Sequence, residues 1–526
     1  MENNVVAMPA NTKPSLSPIP PKFNEHMVFD YENHTVYIDQ RFCGDTIFLT
    51  WIERNRREGI SLSVKPATPD ELAKLRASVR VVADIDTDLK TRQEALGIIL
   101  TGAQYGASDI HITLKGDHSE VQFETRNGLV SYKNFTQSEG DKFIRSIYQG
   151  IAKLRDNSFK DLEYQSAQVA GEDLPPKSGL TSVRIMRGPC YPQDKSCHFM
   201  TLRLQYADSA IQVDNRLPPL KAPESPAGTF RLANMGYSPR QIEKISKVMD
   251  APDGVIIYTG PTGSGKTTSL NEVLTQMARL KPHRRLVTAE DPVEYPMPWA
   301  VQLPITGAKG DKEIGAKYAE YVRTMLRMAP KTILLGELRG PEVAIAAIEA
   351  SITGHQVLTT IHTTDPFLVV DRLEIMDPVR LNRKIFCDPK IIRAVVGQRL
   401  IAQLCPHCSI PIANTNNANM LDQRIRKSLS SWGDIGKVRI KGKGCDRCGH
   451  SGSVRRLAIP EIILTNTQLM NDYIEYGSAI ARRNYRRTEY ADPSMIETAI
   501  RYVLAGYIDP VAVEGSVDLI ELKGAA

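Results

Sequence analysis

The chain has 526 residues, 42% hydrophobic and 24% charged, with 66 basic against 60 acidic side chains and a formal net charge of +6. That length divides into about three or four domains, and the composition is that of folded globular protein, with no window near the roughly 18 uninterrupted apolar residues of a membrane-spanning helix. The near-even charge argues against a nucleic-acid binder, which concentrates its basic residues.

The start, "MENNVVAMPANTKPSLSPIPPK", lacks a basic segment followed by an apolar core, so it is expected to be a disordered leader over 1–22 and not a secretory signal. A cytoplasmic protein is the expectation. Residues 23–90 mix strand-like runs ("HTVYID", "TIFLTW", "SLSVKP") with a helical segment, "TPDELAKLRASV", and suggest a small α+β domain. A second α+β domain spans 91–205. It opens on the helical "RQEALGIILTGAQYGASD" and continues through the strands "IHITLK", "VQFETRNGLV" and "SVRIM", with a hairpin signal at Asn127 and Gly128. Residues 206–228 carry four prolines and no periodicity, a linker about which two bodies would move.

From 229 to 400 strand and helix patterns alternate, the signature of a wound, mostly parallel sheet. "GVIIYT", "RRLVTAE", "KTILLGE" and "QVLTTIH" are its strand candidates, and Pro341 and Gly354 bracket a helix. Residues 401–460 hold two cysteine pairs, and 461–526 read as a helical tail.

The stretch "YTGPTGSGKTTSL" fits G-x-x-x-x-G-K-[ST], with a strand before it and a helix after. Glycines let backbone N–H groups turn inward around phosphate oxygens, and the following helix presents its positive end. The candidate nucleotide-binding set is Gly260, Pro261, Thr262, Gly263, Ser264, Gly265, Lys266, Thr267 and Thr268. Lys266 would reach the β- and γ-phosphates, and Thr267 would ligate Mg²⁺. No guanine-reading "NKxD" follows, which favours ATP.

Hydrolysis also needs an acid near Mg²⁺ and a group that orients water. Two clusters follow strand-like runs: Glu290, Asp291 and Glu294 in "AEDPVEY", and Glu337 in "LLGELRG". In a wound sheet the strand ends open onto the ligand crevice. A solvated turn is the plain alternative for the first cluster. "TGHQVLTTIHTTD" puts His355 and His362 at the two ends of one strand, as nucleotide contacts or as ordinary core or surface histidines.

Cys405, Cys408, Cys445 and Cys448 form C-x2-C pairs 36 residues apart, a spacing suited to a closed tetrahedral Zn²⁺ site across a small inserted subdomain. A redox disulfide is the alternative, although one pair would serve for that. His407 and His450 are expected to be spectators, and Cys43, Cys190, Cys197 and Cys387 plain thiols. Basic residues from Lys437 to Arg456 either face a membrane partner or balance the thiolates, and "ARRNYRR" is expected to be a solvated helix face.

In order and spacing, "GPTGSGKTT", "TAEDPVEY", "ILLGELRG" and "TGHQVLTTIHT" resemble the Walker A, Asp, Walker B and His boxes of the type II secretion and type IV pilus motor ATPases, and "ASDIHI" resembles a signature of the domain before the motor. The likeness covers roughly residues 90–465. It implies a RecA-like P-loop motor domain in an α/β chain, preceded by an α+β (PAS-like) domain, with a zinc subdomain and a helical tail. It also implies a cytoplasmic ring ATPase, a homo-oligomer of hexameric kind, held at the inner membrane through a platform protein and energising assembly of a pilus or pseudopilus. A type IVb or conjugative thin-pilus branch would suit the divergence.

By that resemblance Glu290 would activate water with Asp291 and Glu294 in support, Glu337 would be the Walker B acid acting through Mg²⁺ or its water, and His362 would sense or stabilise the γ-phosphate. Arg184, Arg187 and Arg203 would come from the preceding domain, of the same chain or a ring neighbour, to neutralise charge on the transferred phosphoryl; ordinary strand arginines are the alternative. The tetracysteine element points to an assembly motor. Two departures stand out: Ala329, Pro330 and Lys331 replace the usual "DPD", and Gly340 replaces an Asp, which puts Mg²⁺ and subunit contacts in question. A non-hydrolysing nucleotide-binding scaffold and a RecA-like nucleic-acid motor are the rival readings, though no specific nucleic acid is expected.

Overall fold

The computed structural model describes residues 20–23, 26–30, 34–57, 60–156, 158–192, 197–207, 213–214, 216–305, 310–413 and 420–524. The leader expected over 1–22 lies, up to residue 19, outside them. The chain forms two compact units, Met1–Ala95 and Leu96–Ala526.

The first unit holds β1 (Met27–Asp30), β2 (Thr35–Asp39), helix α1 (Thr46–Arg57), β3 (Ser63–Ala67) and the start of α2 (Pro69–Gln104). "TIFLTW", expected as a strand, is the first half of α1. Asp45 accepts the Ile47 N–H at 2.9 Å, and Phe48, Trp51, Ile52 and Asn55 are buried at i, i+3, i+4 and i+7 while Ile47 and Leu49 face water. The helical period therefore outweighs the β-propensity of the residues. The boundary expected at 90 falls inside α2, which joins two helical segments read as separate.

The second unit begins with a seven-stranded antiparallel sheet. Its elements are β4 (Asp109–Leu114), β5 (His118–Thr125), β6 (Gly128–Thr136), α3 (Gln137–Arg145), β7 (Leu154–Arg155), β8 (Gln165–Ala170), β9 (Leu180–Pro189) and β10 (His198–Tyr206). The strands run in the order β6-β5-β4-β10-β9-β8-β7. Thr125 pairs with Gly128, so the expected hairpin forms, with Gly128 at φ 93°.

The proline-rich stretch is a strap tied on both sides. Pro218 accepts from the Tyr105 hydroxyl and Lys221 from the Ser131 N–H, while Arg279 donates to Pro226 and Ala227. The carbonyls of Pro218, Lys221, Pro226 and Ala227 thus find donors on neighbouring surfaces along the stretch expected as a linker.

The larger sheet follows, with α4 (Leu232–Met235), α5 (Pro239–Met249), β11 (Gly254–Thr259), α6 (Lys266–Leu280), β12 (Leu286–Glu290), β13 (Val301–Pro304), α7 (Asp311–Leu326), β14 (Thr332–Leu335), α8 (Pro341–Ile352), β15 (Gln356–Ile361), α9 (Val369–Met376), α10 (Arg383–Phe386) and β16 (Ile392–Leu404). Then come β17 (Ile410–Pro411), α11 (Gln423–Trp432), β18 (Arg439–Ile440), β19 (Ser453–Leu464), α12 (Thr467–Tyr476), α13 (Ser478–Arg486), α14 (Met495–Leu504) and α15 (Pro510–Ser516). The order is β13-β12-β14-β15-β11-β16-β19, all parallel except β19. This is the wound α/β architecture the alternation predicts.

Both faces of β11 are covered: Val255 and Ile257 join one apolar cluster, Ile256 and Tyr258 another. The hairpin end of β9 and β10 contributes Cys190 and Cys197 to the first, and Cys387 lies there too, its thiol pushed up to about 12 by burial. Strands β16 and β19 run across the expected boundaries at 400 and 460 and lead into a third cluster, which joins α11, Val438 and Ile440 to the tail helices α14 and α15. The cysteine element and the tail thus share one core.

Among the described residues no helix is long and apolar enough to cross a membrane.

Candidate nucleotide site and cysteine cluster

Strand β11 is buried along its whole length and ends at Thr259, and the phosphate loop begins at Gly260. Gly260 has φ 149°, and a Cβ there would come 2.3 Å from the carbonyl oxygen of Gln398. Glycine is therefore required by contact as well as by conformation. The loop closes on Gly265 at φ 80°, the residue capping α6. Pro261, Thr262 and Gly263 are exposed at its crest, whereas Ser264 is buried and Thr267 half-buried in the first helical turn.

Lys266 folds back so that Nζ donates to the carbonyls of Gly260 at 2.8 Å and Pro261 at 3.0 Å. Burial lowers its proton affinity, Glu337 and Glu294 pull it back, and Arg399 lowers it further. Those two acids are thus within electrostatic reach of the loop. Thr268 bonds the Tyr295 hydroxyl at 2.9 Å, joining the loop to the segment that carries Glu294.

The acids sit on the same sheet edge because their strands run parallel to β11. Glu290 ends β12, is 5% exposed, and accepts from the Thr288 hydroxyl at 2.5 Å and the Gln302 amide at 2.9 Å. Burial raises its carboxyl above the usual range, against those two bonds. Glu337, just past β14, is held from two sides: its Oε1 lies 3.1 Å from His362 Nε2, and its Oε2 accepts from Arg339 Nε at 3.0 Å. Arg339 also donates to Asp291 at 3.1 Å. Tyr318 reaches in from α7, and a Cβ on Gly336 would come 2.9 Å from its hydroxyl. Glu337 and Glu294 therefore stand within reach of Lys266, and Glu290, Asp291 and His362 lie at the same strand-end edge.

Four expected residues are not brought there. His355 precedes β15 at the opposite edge of the sheet, where its carbonyl accepts from the Gly254 N–H and its Nδ1 donates to the Ala350 carbonyl at 3.1 Å. It is a helix-end and strand-start residue. Arg187 is fully buried in the antiparallel sheet, donating to the Lys160 carbonyl and Gln165, bonding His198, and stacking 3.7 Å over Phe159. Its burial brings the guanidinium down to about 10, and it packs a core. Arg184 and Arg203 face one another across β9 and β10, and Arg203 donates to Asp109 at 2.9 Å. That row continues through Glu124 to Lys331, which stands at the start of β14. Within this chain both arginines thus belong to the edge away from the phosphate loop.

The same edge accounts for two departures from the motif pattern. Ala329 and Lys331 lie before β14, with Lys331 3.8 Å from Glu124, so their lost acids do not bear on a metal at the loop. Gly340 opens α8.

Sequence reading missed Gln398, whose amide donates to the Ser264 carbonyl at 2.7 Å while its oxygen takes bonds from Ser269 and Tyr237. It also missed Arg339, Tyr318 and Arg399. Arg339 lies in the quoted "GELRG", two residues past the acid; the others sit on elements far along the chain and carry no local signal.

The sulfurs of Cys405, Cys408, Cys445 and Cys448 all lie within 4.8 Å of one another. Cys408–Cys448, Cys405–Cys445 and Cys445–Cys448 sulfur separations of 3.8 Å, 3.9 Å and 3.8 Å match the roughly 3.8 Å edge of a thiolate tetrahedron with about 2.3 Å metal–sulfur bonds. Backbone N–H groups of Cys445 and Gly452 point at Cys448 Sγ, both at 3.3 Å. His407 and His450 turn instead to Arg447 and Asp446.

Residues 220–515, more than half of the chain, match the family model described as type II/IV secretion system protein. The chain is 31% identical over 304 residues to the type IV pilus assembly ATPase PilB of Thermus thermophilus, covering 54% of this chain and 32% of that protein. It is 30% identical over 399 residues to the type II secretion system protein HxcR of Pseudomonas aeruginosa, covering 74% of this chain and 71% of that one. The X-ray structure of the Legionella pneumophila ATPase DotB aligns over 82% of this chain and 94% of its own at 20% identity and a TM-score of 0.37. The chain thus spans about a third of the Thermus protein and most of the Pseudomonas one, and it belongs to the type II/IV secretion system protein family.

Proposed function

We propose that this protein is a ring-forming motor that hydrolyses MgATP and spends the energy on assembling a pilus or pseudopilus fibre. The observation that carries the reading is the meeting of Lys266, Glu290, Glu337 and His362 on one sheet edge, around a loop whose N–H groups open the helix α6. Thr267 and Glu337 are the residues that would hold Mg²⁺, which would supply positive charge to the phosphoryl oxygens. Glu290 takes the proton of the attacking water, its carboxyl already raised by burial. Asp291 and Arg339 hold Glu337 in orientation, and His362 donates toward the terminal phosphate from the other side. The relatives' names, a pilus assembly ATPase and a type II secretion protein, support the same direction.

The four clustered thiols would hold one structural Zn²⁺ per chain. A hexameric ring in the cytoplasm, joined to an inner-membrane platform protein, completes the proposal. Its test is Mg²⁺-dependent phosphate release by the purified chain. Lys266→Ala is expected to abolish release; release that survives the substitution refutes the loop assignment.

A further inference from the structure

The phosphate loop has a second cation beside Lys266, and it comes from the motor sheet itself. Thr259 stands opposite Gly397 in the β11–β16 pair, so the next two residues of β16 run on past the point where β11 turns into the loop. Gln398 lies against Gly260, with its side chain under Ser264 and Ser269. Successive side chains alternate between faces, and Arg399 turns to the other one. There its Nη2 donates to the Thr364 carbonyl at 2.5 Å, two residues beyond His362.

Arg399 is 7% exposed, and its Nη1 is buried without a hydrogen-bond partner among the described residues. It stands close enough to Lys266 to lower that lysine's proton affinity, and burial lowers its own. The acids that pull on it are Asp518 and Asp365, and Asp365 is already engaged by Arg482 at 2.7 Å. Two desolvated cations beside one anion-binding loop repel each other, and an anion shared between them removes that cost.

We propose that Arg399 is a phosphate-binding residue: its Nη1 edge takes the polyphosphate of the nucleotide held by the loop, while Nη2 keeps the Thr364 carbonyl and so ties the nucleotide to the strand end bearing His362. This rests on the nucleotide reading above. Arginine suits the role because one planar fork serves two acceptors at once.

The test is the dissociation constant of fluorescent MgADP for the full chain as wild type, Arg399→Lys and Arg399→Gln, with Lys266→Ala as the control for loop binding. Arg399→Gln is expected to weaken binding about 10- to 100-fold, and Arg399→Lys several-fold, with a smaller dependence of the constant on salt in the Gln variant. Unchanged constants in both variants, with turnover alone reduced, would mean that Arg399 only positions the Thr364 segment, and would overturn the proposal. Should the Gln variant fail to fold by circular dichroism, the Lys variant decides alone: wild-type affinity there refutes it. Wild-type protein that binds no MgADP would sink the nucleotide reading itself, a result distinct from an Arg399 effect.

Discussion

Glu124 offers a test in which removing a charge from an ion pair should stabilise the protein. The carboxyl is buried in the antiparallel sheet at 5% exposure, 3.8 Å from Lys331 of the motor sheet. Burial pushes it up to about 7, Lys331 and Arg285 pull it down, and Asp109 pushes it up again. The shift from an ordinary 4.5 to about 7 makes the charged form roughly 3 kcal/mol less favourable in the folded state than in the unfolded chain. The folded state therefore binds the extra proton, and stability contributed by this group falls as pH rises from 4.5 through 7. Glu124→Gln keeps the shape without the charge. At pH 8 it should raise stability by up to about 3 kcal/mol, and near pH 4.5 it should change little. Scanning calorimetry of both proteins at the two pH values reads this directly. A Gln variant that melts lower than wild type at pH 8 would show that the Lys331 contact outweighs burial and would refute the reasoning.

Cys445→Ser should take bound zinc from one ion per chain to none and open the 405–448 segment to protease, a loss of at least several kcal/mol; metal analysis and limited proteolysis check it. Gly260→Ala drives a Cβ into the Gln398 carbonyl at φ 149°, and should cost at least about 1–3 kcal/mol in urea unfolding and abolish MgADP binding. Under the proposed ring, Arg203 would serve the phosphate of another copy, and Arg203→Ala and Lys266→Ala chains, each expected to be inactive alone, should recover about a quarter of the sites when mixed before assembly. Phosphate release that stays at the level of the separate variants would leave Arg203 with its structural bond to Asp109 alone.

The phosphate loop and its acids were legible because each follows a short apolar run that had to be a buried parallel strand, and strand ends of such a sheet share one edge. The same logic failed at His355. Both histidines flank β15, but only His362 stands at the end where β11 delivers Gly260, and a sequence does not say which edge matters until the direction of neighbouring strands is known. Arg187 misled for a different reason. A strand arginine in "SVRIMRG" looks solvent-facing, yet Phe159, Gln165 and His198, distant in sequence, enclose it. Gln398 and Arg399 were invisible because β16 reaches the loop from about 130 residues further on. Helix α1 was legible in its buried 3.6-residue period and lost to the β-forming character of its residues.

Three of the parallel strands each carry a charged or titratable group at both ends. Strand β12 starts after buried Arg285 and ends at Glu290; β14 starts after Lys331 and leads to Glu337; β15 starts after His355 and leads to His362. At one edge these strands carry groups that face the antiparallel sheet, with Arg285 and Lys331 both felt by Glu124; at the other they carry the groups around Lys266. A parallel strand of four to six residues, hydrogen-bonded on both sides and covered on both faces, moves as a unit and does not bend. The groups that meet Glu124, Arg285 and Lys331, are therefore fixed to the same rigid strands that carry Glu290 and Glu337. Chemistry at the strand ends and contact at the strand starts are two ends of the same rods.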